Sequence, residues 1–287
     1  MPLVPTGDII SEAAHGVGAF NVVLLEQLEA VLTGAEEANT PVIVQISENA
    51  VAYRGALGPL AAAAHEAIAS VSVPVALHLD HATGTELIKE AVDRGFTSVM
   101  YDGAHLPWEE NVARTQEMSR WCHTRGVWIE AELGAIGGKD GAHTPGVRTD
   151  PDEAARFVAD TGVDALAVAV GSSHQMTRRT ALLDLALIRR LRAAVPVPLV
   201  LHGSSGVADG DLTAAVRAGM RKINIATHLN TVFSAAAHTR LTAQPPTVDP
   251  RAYLRPAREA MAQEVARLLR LLAHAPEAER EHDGAHG

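Results

Sequence analysis

Eight short β-rich runs, each followed by a longer stretch at helical spacing, limit what this chain can fold into. The runs are "GAFNV" (Gly18–Val22), "PVIVQIS" (Pro41–Ser47), "VPVALHLD" (Val73–Asp80), "TSVMYD" (Thr97–Asp102), "VWIEAEL" (Val127–Leu133), "ALAVAVG" (Ala165–Gly171), "PLVLHG" (Pro198–Gly203) and "KINIAT" (Lys222–Thr227). Between them lie Ala-, Leu-, Glu- and Arg-rich segments such as "LLEQLEAVLTGAEEA" and "LLDLALIRRLRAAV". Several runs are apolar almost from end to end, as suits parallel strands with helices outside and packed side chains inside. Eight such units in 287 residues predict an α/β protein, a (β/α)8 TIM barrel, which routinely forms one domain of ~250 residues. An open, doubly wound sheet uses the same alternation and is the competing architecture.

No Gly/Ser-rich linker divides the chain. The segment "TAQPPTVDPRAYLRP" (Thr242–Pro256) breaks the pattern and leads into an extra C-terminal helix, "AREAMAQEVARLLRLLAHA". The barrel is therefore expected over 1–275, with a polar, disordered tail over 276–287.

Composition excludes some functions. Net charge is −10 and there is no basic stripe, so binding nucleic acid through its phosphates is not expected. A single cysteine, Cys122, rules out an internal disulfide and suits a reducing compartment. The opening "MPLVPTGDII" has neither the basic nor the apolar region of a signal peptide. No apolar run reaches the ~18 residues a membrane helix needs. A soluble, cytoplasmic protein without a membrane partner is expected.

In an α/β barrel the chemistry sits at the C-terminal ends of the strands. Reading the polar residues there gives Asn21, Ser47, the adjacent pair Asp80 and His81, Asp102, Glu132, His174 just beyond the sixth run, His202, Asn224 and Thr227. Three imidazoles from three loops with an open position make a catalytic Zn²⁺ site. The plain alternative for any one of the 14 histidines is an ordinary hydrogen-bonding residue. The joint position of His81, His174 and His202 outweighs it, whereas His15, His65, His105, His123, His228, His238, His274, His282 and His286 receive no role. As the sequence neighbour of a ligand, Asp80 is poorly placed to orient that same ring, which favours proton transfer. Asp102 and Glu132 are hard oxygen donors suited to a second cation. Their alternative is a buried polar layer paired with His78 or Lys222.

A second group is rich in glycine and hydroxyls. "HGSSG" (His202–Gly206) follows the seventh run, and "NIAT" ends the eighth and opens a helix. Loops after strands seven and eight are the recurrent phosphate site of this fold, and helix N-terminal N–H groups suit a dianion. Gly203, Ser204, Ser205 and the segment Asn224, Ile225, Ala226, Thr227 are the candidates. "GAIGGKDG" (Gly134–Gly141) lacks the ending of a P-loop and reads as a mobile lid carrying a polar group.

With these residues in place, the chain resembles the class II, zinc-dependent fructose-bisphosphate and tagatose-bisphosphate aldolases. The matching segments are "AFNV", "HLDH", "SVMYDGAHLP", "EAELGAIGG", "LAVAVGSSH", "PLVLHGSSG", "INIAT" and "DPRAYLRPAREAM", spanning Gly18 to Val265. The resemblance implies zinc on His81, His174 and His202, with Asp80 as the acid/base at the bond being broken. It implies a second metal position at Asp102 and Glu132, or a monovalent cation near the phosphate. The loops after strands seven and eight would hold the phosphate of dihydroxyacetone phosphate, with Asn21 and Ser47 also facing substrate. Arg251, in "DPR", would reach the far phosphate across the interface of a homodimer or homotetramer.

Three features depart from that family. Gln175 stands where a glycine commonly follows the second zinc histidine. The lid reads "KDG" where a glutamate normally removes the carbon-bound proton, leaving Asp140 nearest, with His143 as the rival base. The loop from Asp140 to the next helix is also short. These bear on which substrate is used more than on the reaction. The expected activity is cleavage of a ketose phosphate such as fructose 1,6-bisphosphate, in glycolysis or carbohydrate metabolism. The alternatives are another dihydroxyacetone-phosphate adduct (tagatose bisphosphate, a deoxy-gluconate phosphate or a secondary metabolite), a metal-dependent hydrolase, or a non-catalytic barrel subunit.

Overall fold

The computed structural model describes residues 2–133 and 148–273. Eight parallel strands close into a barrel in sequence order: β1 (Val17–Asn21), β2 (Val42–Ser47), β3 (Val75–Ala82), β4 (Ser98–Tyr101), β5 (Trp128–Leu133), β6 (Ala165–Val168), β7 (Leu199–Leu201) and β8 (Met220–Ile225). The pairing of β1 with β8, from Val17 opposite Lys222 to Phe20 opposite Ile225, closes the sheet and excludes the open alternative.

The apolar runs hide a period of two. Val42, Val44 and Ile46 of β2, and Val75, Leu77 and Leu79 of β3, pack into the large core between barrel and helices. Ile43 and Ala76, the alternate residues, join a separate cluster inside the barrel with Val17 and Ala19. Continuing the alternation directs Gln45, Ser47, His78 and Asp80 inward, because successive side chains leave a strand on opposite faces. In β5, Ile129, Ala131 and Leu133 belong to the outer core, so Glu130 and Glu132 share the inner face. The interior is thus layered, apolar below and polar toward the C-terminal mouth.

A helix that the sequence reading does not assign, Thr6–Glu12, closes the bottom. Its Ile9 and Ile10 pack on Val17, Ala19, Ile43 and Ala76, and Thr6 hydrogen-bonds the buried Ser98 hydroxyl. The last helix, Pro250–Ala273, starts earlier than expected and runs through Pro256. Asp249 accepts from the Arg251 N–H just ahead of it, and proline at the first helical position is pre-set for a helix. This helix lies against Leu25–Ala38, where a Cβ on Gly34 would come within 2.6 Å of the Ala262 carbonyl oxygen. Only glycine permits that approach. Cys122 is buried, and burial pushes its thiol up to about 12, which makes it an inert core residue. No helix among the described residues is long and apolar enough to cross a membrane. The expected tail, 276–287, lies outside the described residues.

Candidate active site

The adjacent pair Asp80–His81 poses a geometric problem. In a regular strand their side chains would leave on opposite faces, and His81 would point into the helical layer. The register of β3 on β4 shifts between Leu79 and Ala82, and His81 has φ +52°. That left-handed residue in an irregular strand re-aims its side chain. Left-handed backbone at a non-glycine residue costs on the order of 1–3 kcal/mol and collects at functional sites. His81 thereby stands among the other two predicted histidines. Ring centroids are 4.6 Å apart for His81 and His202, 5.0 Å for His81 and His174, and 5.5 Å for His174 and His202.

His202 directly follows β7, and its backbone carbonyl accepts from the Ser172 hydroxyl at 2.6 Å. This contact ties the loop bearing His174 to β7. Ligand atoms of His81, Glu132, His174 and His202 all lie within 4.8 Å of one another. The donor set suits a metal. His202 Nδ1 is buried and makes no hydrogen bond, while Glu132 Oε2 lies 3.1 Å away. Two ligands on a tetrahedral Zn²⁺, at ~2.0–2.1 Å each, stand roughly 3.3 Å apart. Imidazole nitrogens with one carboxylate fit zinc among other divalent ions.

The two carboxylates expected to share a second cation thus have different places. Glu132 belongs with the three histidines, whereas Asp102 is outside that group, its Oδ2 2.8 Å from His81 Nδ1. The buried polar layer forms instead around Glu130, which the sequence reading passed over. Its Oε2 accepts from Lys222 Nζ at 2.6 Å, and its Oε1 lies 3.0 Å from His202 Nε2.

Asp80 accepts from Asn21 Nδ2 at 2.7 Å through Oδ2, and Asn21 in turn accepts from Gln45 Nε2 at 3.1 Å. Asp80 Oδ1 makes no hydrogen bond and lies 4.0 Å from His81 Nε2. Burial alone would raise its pKa. The fields of His81, His202, Lys222 and His78 outweigh that and hold the carboxyl well below the usual carboxylate range. An ionised carboxylate with one free oxygen beside the histidines is equipped to accept a proton.

The glycine-rich loop turns sharply at Gly203, φ +66°, where a Cβ would meet the Ser173 backbone at 2.6 Å. Ser204 Oγ donates to the Leu201 carbonyl oxygen, and Ser205 Oγ accepts from the His228 N–H at 3.0 Å. Ser205 therefore joins this loop to the start of the helix Thr227–Leu241. Ala226 provides no side-chain cap there, and the helix follows directly on Asn224 and Ile225 of β8. Asn224 Oδ1 is buried without a hydrogen bond. Behind this helix start, His228 Nε2 lies 2.6 Å from Glu264, which is also paired with Arg267.

The remaining predicted residues are outside the four-residue group. Ser47 Oγ accepts from the Ala50 N–H and caps the short helix Glu48–Arg54. Gln175 is exposed, with φ +60°. Arg251 is exposed on the surface and makes its charged contact with Asp249 at 2.8 Å. Asp140 and His143 lie outside the described residues.

Comparison with known proteins gives the family. The family model "Fructose-bisphosphate aldolase class-II" matches residues 6–276. The chain is 39% identical over 268 residues to the fructose-bisphosphate aldolase of Geobacillus stearothermophilus, covering 91% of this chain and 93% of that one. It is 38% identical over 272 residues to that of Staphylococcus aureus, covering 92% and 95%. Among solved structures, the YdjI aldolase of Escherichia coli K12 superposes with a TM-score of 0.84 at 32% identity, over 94% of this chain and 97% of that one.

Proposed function

The chain belongs to the class II fructose-bisphosphate aldolase family, a family of lyases, and from that premise we propose that it cleaves and re-forms a phosphorylated ketose such as fructose 1,6-bisphosphate. The products would be dihydroxyacetone phosphate and an aldehyde such as glyceraldehyde 3-phosphate. The single observation that carries this reading is the meeting of His81, His174, His202 and Glu132 beside the half-occupied carboxylate of Asp80.

These four residues would hold a divalent metal, best Zn²⁺, which supplies a Lewis acid for the substrate carbonyl. Asp80 takes the C4 hydroxyl proton through Oδ1 as the C3–C4 bond breaks, while Asn21 holds Oδ2 in place. The turn at Gly203, the Ser204–Ser205 pair and the helix start at Thr227 bind the phosphate. Their N–H groups offer a fixed positive end to a dianion. Asp140, or His143 in the same segment, handles the carbon-bound proton of dihydroxyacetone phosphate. Arg251 binds the far phosphate from the neighbouring subunit of a homodimer or homotetramer, which suits its exposed position. Cytoplasmic glycolysis is the corresponding setting.

One observation favours a second reading within the same chemistry. Gln175 adopts left-handed backbone and adds an exposed amide next to His174. A side chain there would change the wall on one side of the site and suit a different dihydroxyacetone-phosphate adduct. The test is to supply fructose 1,6-bisphosphate, tagatose 1,6-bisphosphate and a deoxy-gluconate phosphate, and to measure dihydroxyacetone phosphate before and after chelation. Chelator-sensitive cleavage restored by Zn²⁺ supports the reading. Cleavage that persists without divalent metal overturns it.

A further inference from the structure

We propose that Glu130, anchored by Lys222, is a positioning residue that fixes which nitrogen of His202 faces the metal; this rests on the metal reading above. Glu130, Lys222, His78 and His202 are fully buried within the barrel. Lys222 Nζ donates to Glu130 Oε2 at 2.6 Å and lies 3.5 Å from His78 Nε2. Burial and the Lys222 charge drive His78 down to about 3, so it is neutral. With an ammonium facing its Nε2, the ring carries its proton on Nδ1 and donates to Ser98 Oγ at 2.7 Å. Ser98 also meets Thr6 of the helix that closes the barrel floor. The side chains thus form a continuous chain of contacts from the floor to the metal centre.

Its upper end is Glu130 Oε1, 3.0 Å from His202 Nε2. Both Glu130 oxygens are engaged, so this carboxylate is not itself a metal donor. A carboxylate cannot donate while ionised, so His202 must carry a proton on Nε2. That leaves Nδ1, facing Glu132 Oε2, as the ligand atom. Lys222, donating to Oε2 at 2.6 Å, stops the carboxylate from rotating upward to compete for the metal.

The experiment uses the full-length protein loaded with Zn²⁺ and labelled with ¹⁵N-histidine. Long-range ¹H–¹⁵N spectra are expected to show His202 protonated at Nε2 and metal-bound at Nδ1; the reverse overturns the proposal. Removing Glu130 alone would strand the Lys222 ammonium, so two double variants carry the second arm. Glu130→Leu with Lys222→Met replaces the pair by apolar groups of similar volume. It is expected to lower Zn²⁺ affinity roughly 10–100-fold in chelator competition. Glu130→Gln with Lys222→Met keeps an oxygen toward His202 and is expected to stay within a few-fold of the parent. Parental affinity in the Leu/Met variant overturns the proposal. A Leu/Met variant that does not fold leaves the spectrum of the parent to decide. A parent that takes up no metal would instead overturn the function reading itself.

Discussion

Asp102 Oδ2 stands 2.8 Å from His81 Nδ1, so a carboxylate at the end of β4 orients a ring carried by β3. That contact leaves His81 Nε2 as the atom with a lone pair for a metal. Asp102→Ala should therefore weaken Zn²⁺ binding roughly 10–100-fold, the usual effect of losing a carboxylate behind a histidine ligand. Asp102→Asn, which still offers an oxygen, should lose less. Chelator competition measures both. Unchanged affinity in the alanine variant would return Asp102 to the role of a separate cation ligand.

Asp80 calls for a different signature. It touches the histidines only at 4.0 Å, from Oδ1 to His81 Nε2, and is not in the four-residue ligand group. Asp80→Ala should keep the parent's metal content while cleavage falls by the 10²–10⁴-fold typical of losing a general base. Exchange of the carbon-bound proton of dihydroxyacetone phosphate with solvent does not need the aldehyde half and should survive better. Equal loss of both activities would mark Asp80 as structural.

Acid sensitivity is expected behind the helix at Thr227. Burial would raise the Glu264 pKa, but hydrogen bonds from Arg267 and His228 prevail and bring it to about 2. A carboxyl held below its unfolded value stabilises the fold above that unfolded value, near 4.5, and the benefit fades as pH falls through about 2. Glu264→Gln should therefore be less stable than the parent in urea at pH 7. The gap should narrow steadily below pH ~4.5. A gap independent of pH would mean that packing, not charge, explains the loss.

Much of this was legible in the chain, and the gaps have physical causes. All eight strands show as apolar runs, because a parallel strand is buried on both faces. Closure was not visible locally, since it rests on β1 meeting β8 across the whole sequence. The three histidines and Asp80 stood out as polar residues where apolar runs end. Glu130 did not, because it lies a layer below the strand end, although "EAE" in a strand puts Glu130 and Glu132 on one face. The helix Thr6–Glu12 has little apolar periodicity and owes its place to the barrel floor it covers. The segment Thr242–Pro256 interrupts the sequence pattern, yet Pro256 lies inside a helix whose start is set by Asp249 and Pro250.

Gln175 directly follows the candidate ligand His174, and its backbone shows what a side chain costs at that position. At φ +60° it keeps the left-handed conformation that glycine adopts freely. For an L-residue this costs ~1–2 kcal/mol, of which glycine's greater unfolded-state freedom would offset ~0.5–1. Gln175→Gly should thus stabilise the metal-free protein by up to ~1 kcal/mol, whereas Gln175→Ala, strained alike, should not. Thermal unfolding separates the two. Activity separates backbone from side chain. If the amide only narrows the wall beside His174, both variants should lower KM for fructose 1,6-bisphosphate and leave kcat alone. If it binds the natural substrate, both should raise that substrate's KM, because binding shared by ground and transition states is lost. The second outcome, seen with one ketose phosphate and not with another, would identify which adduct this wall was shaped to hold.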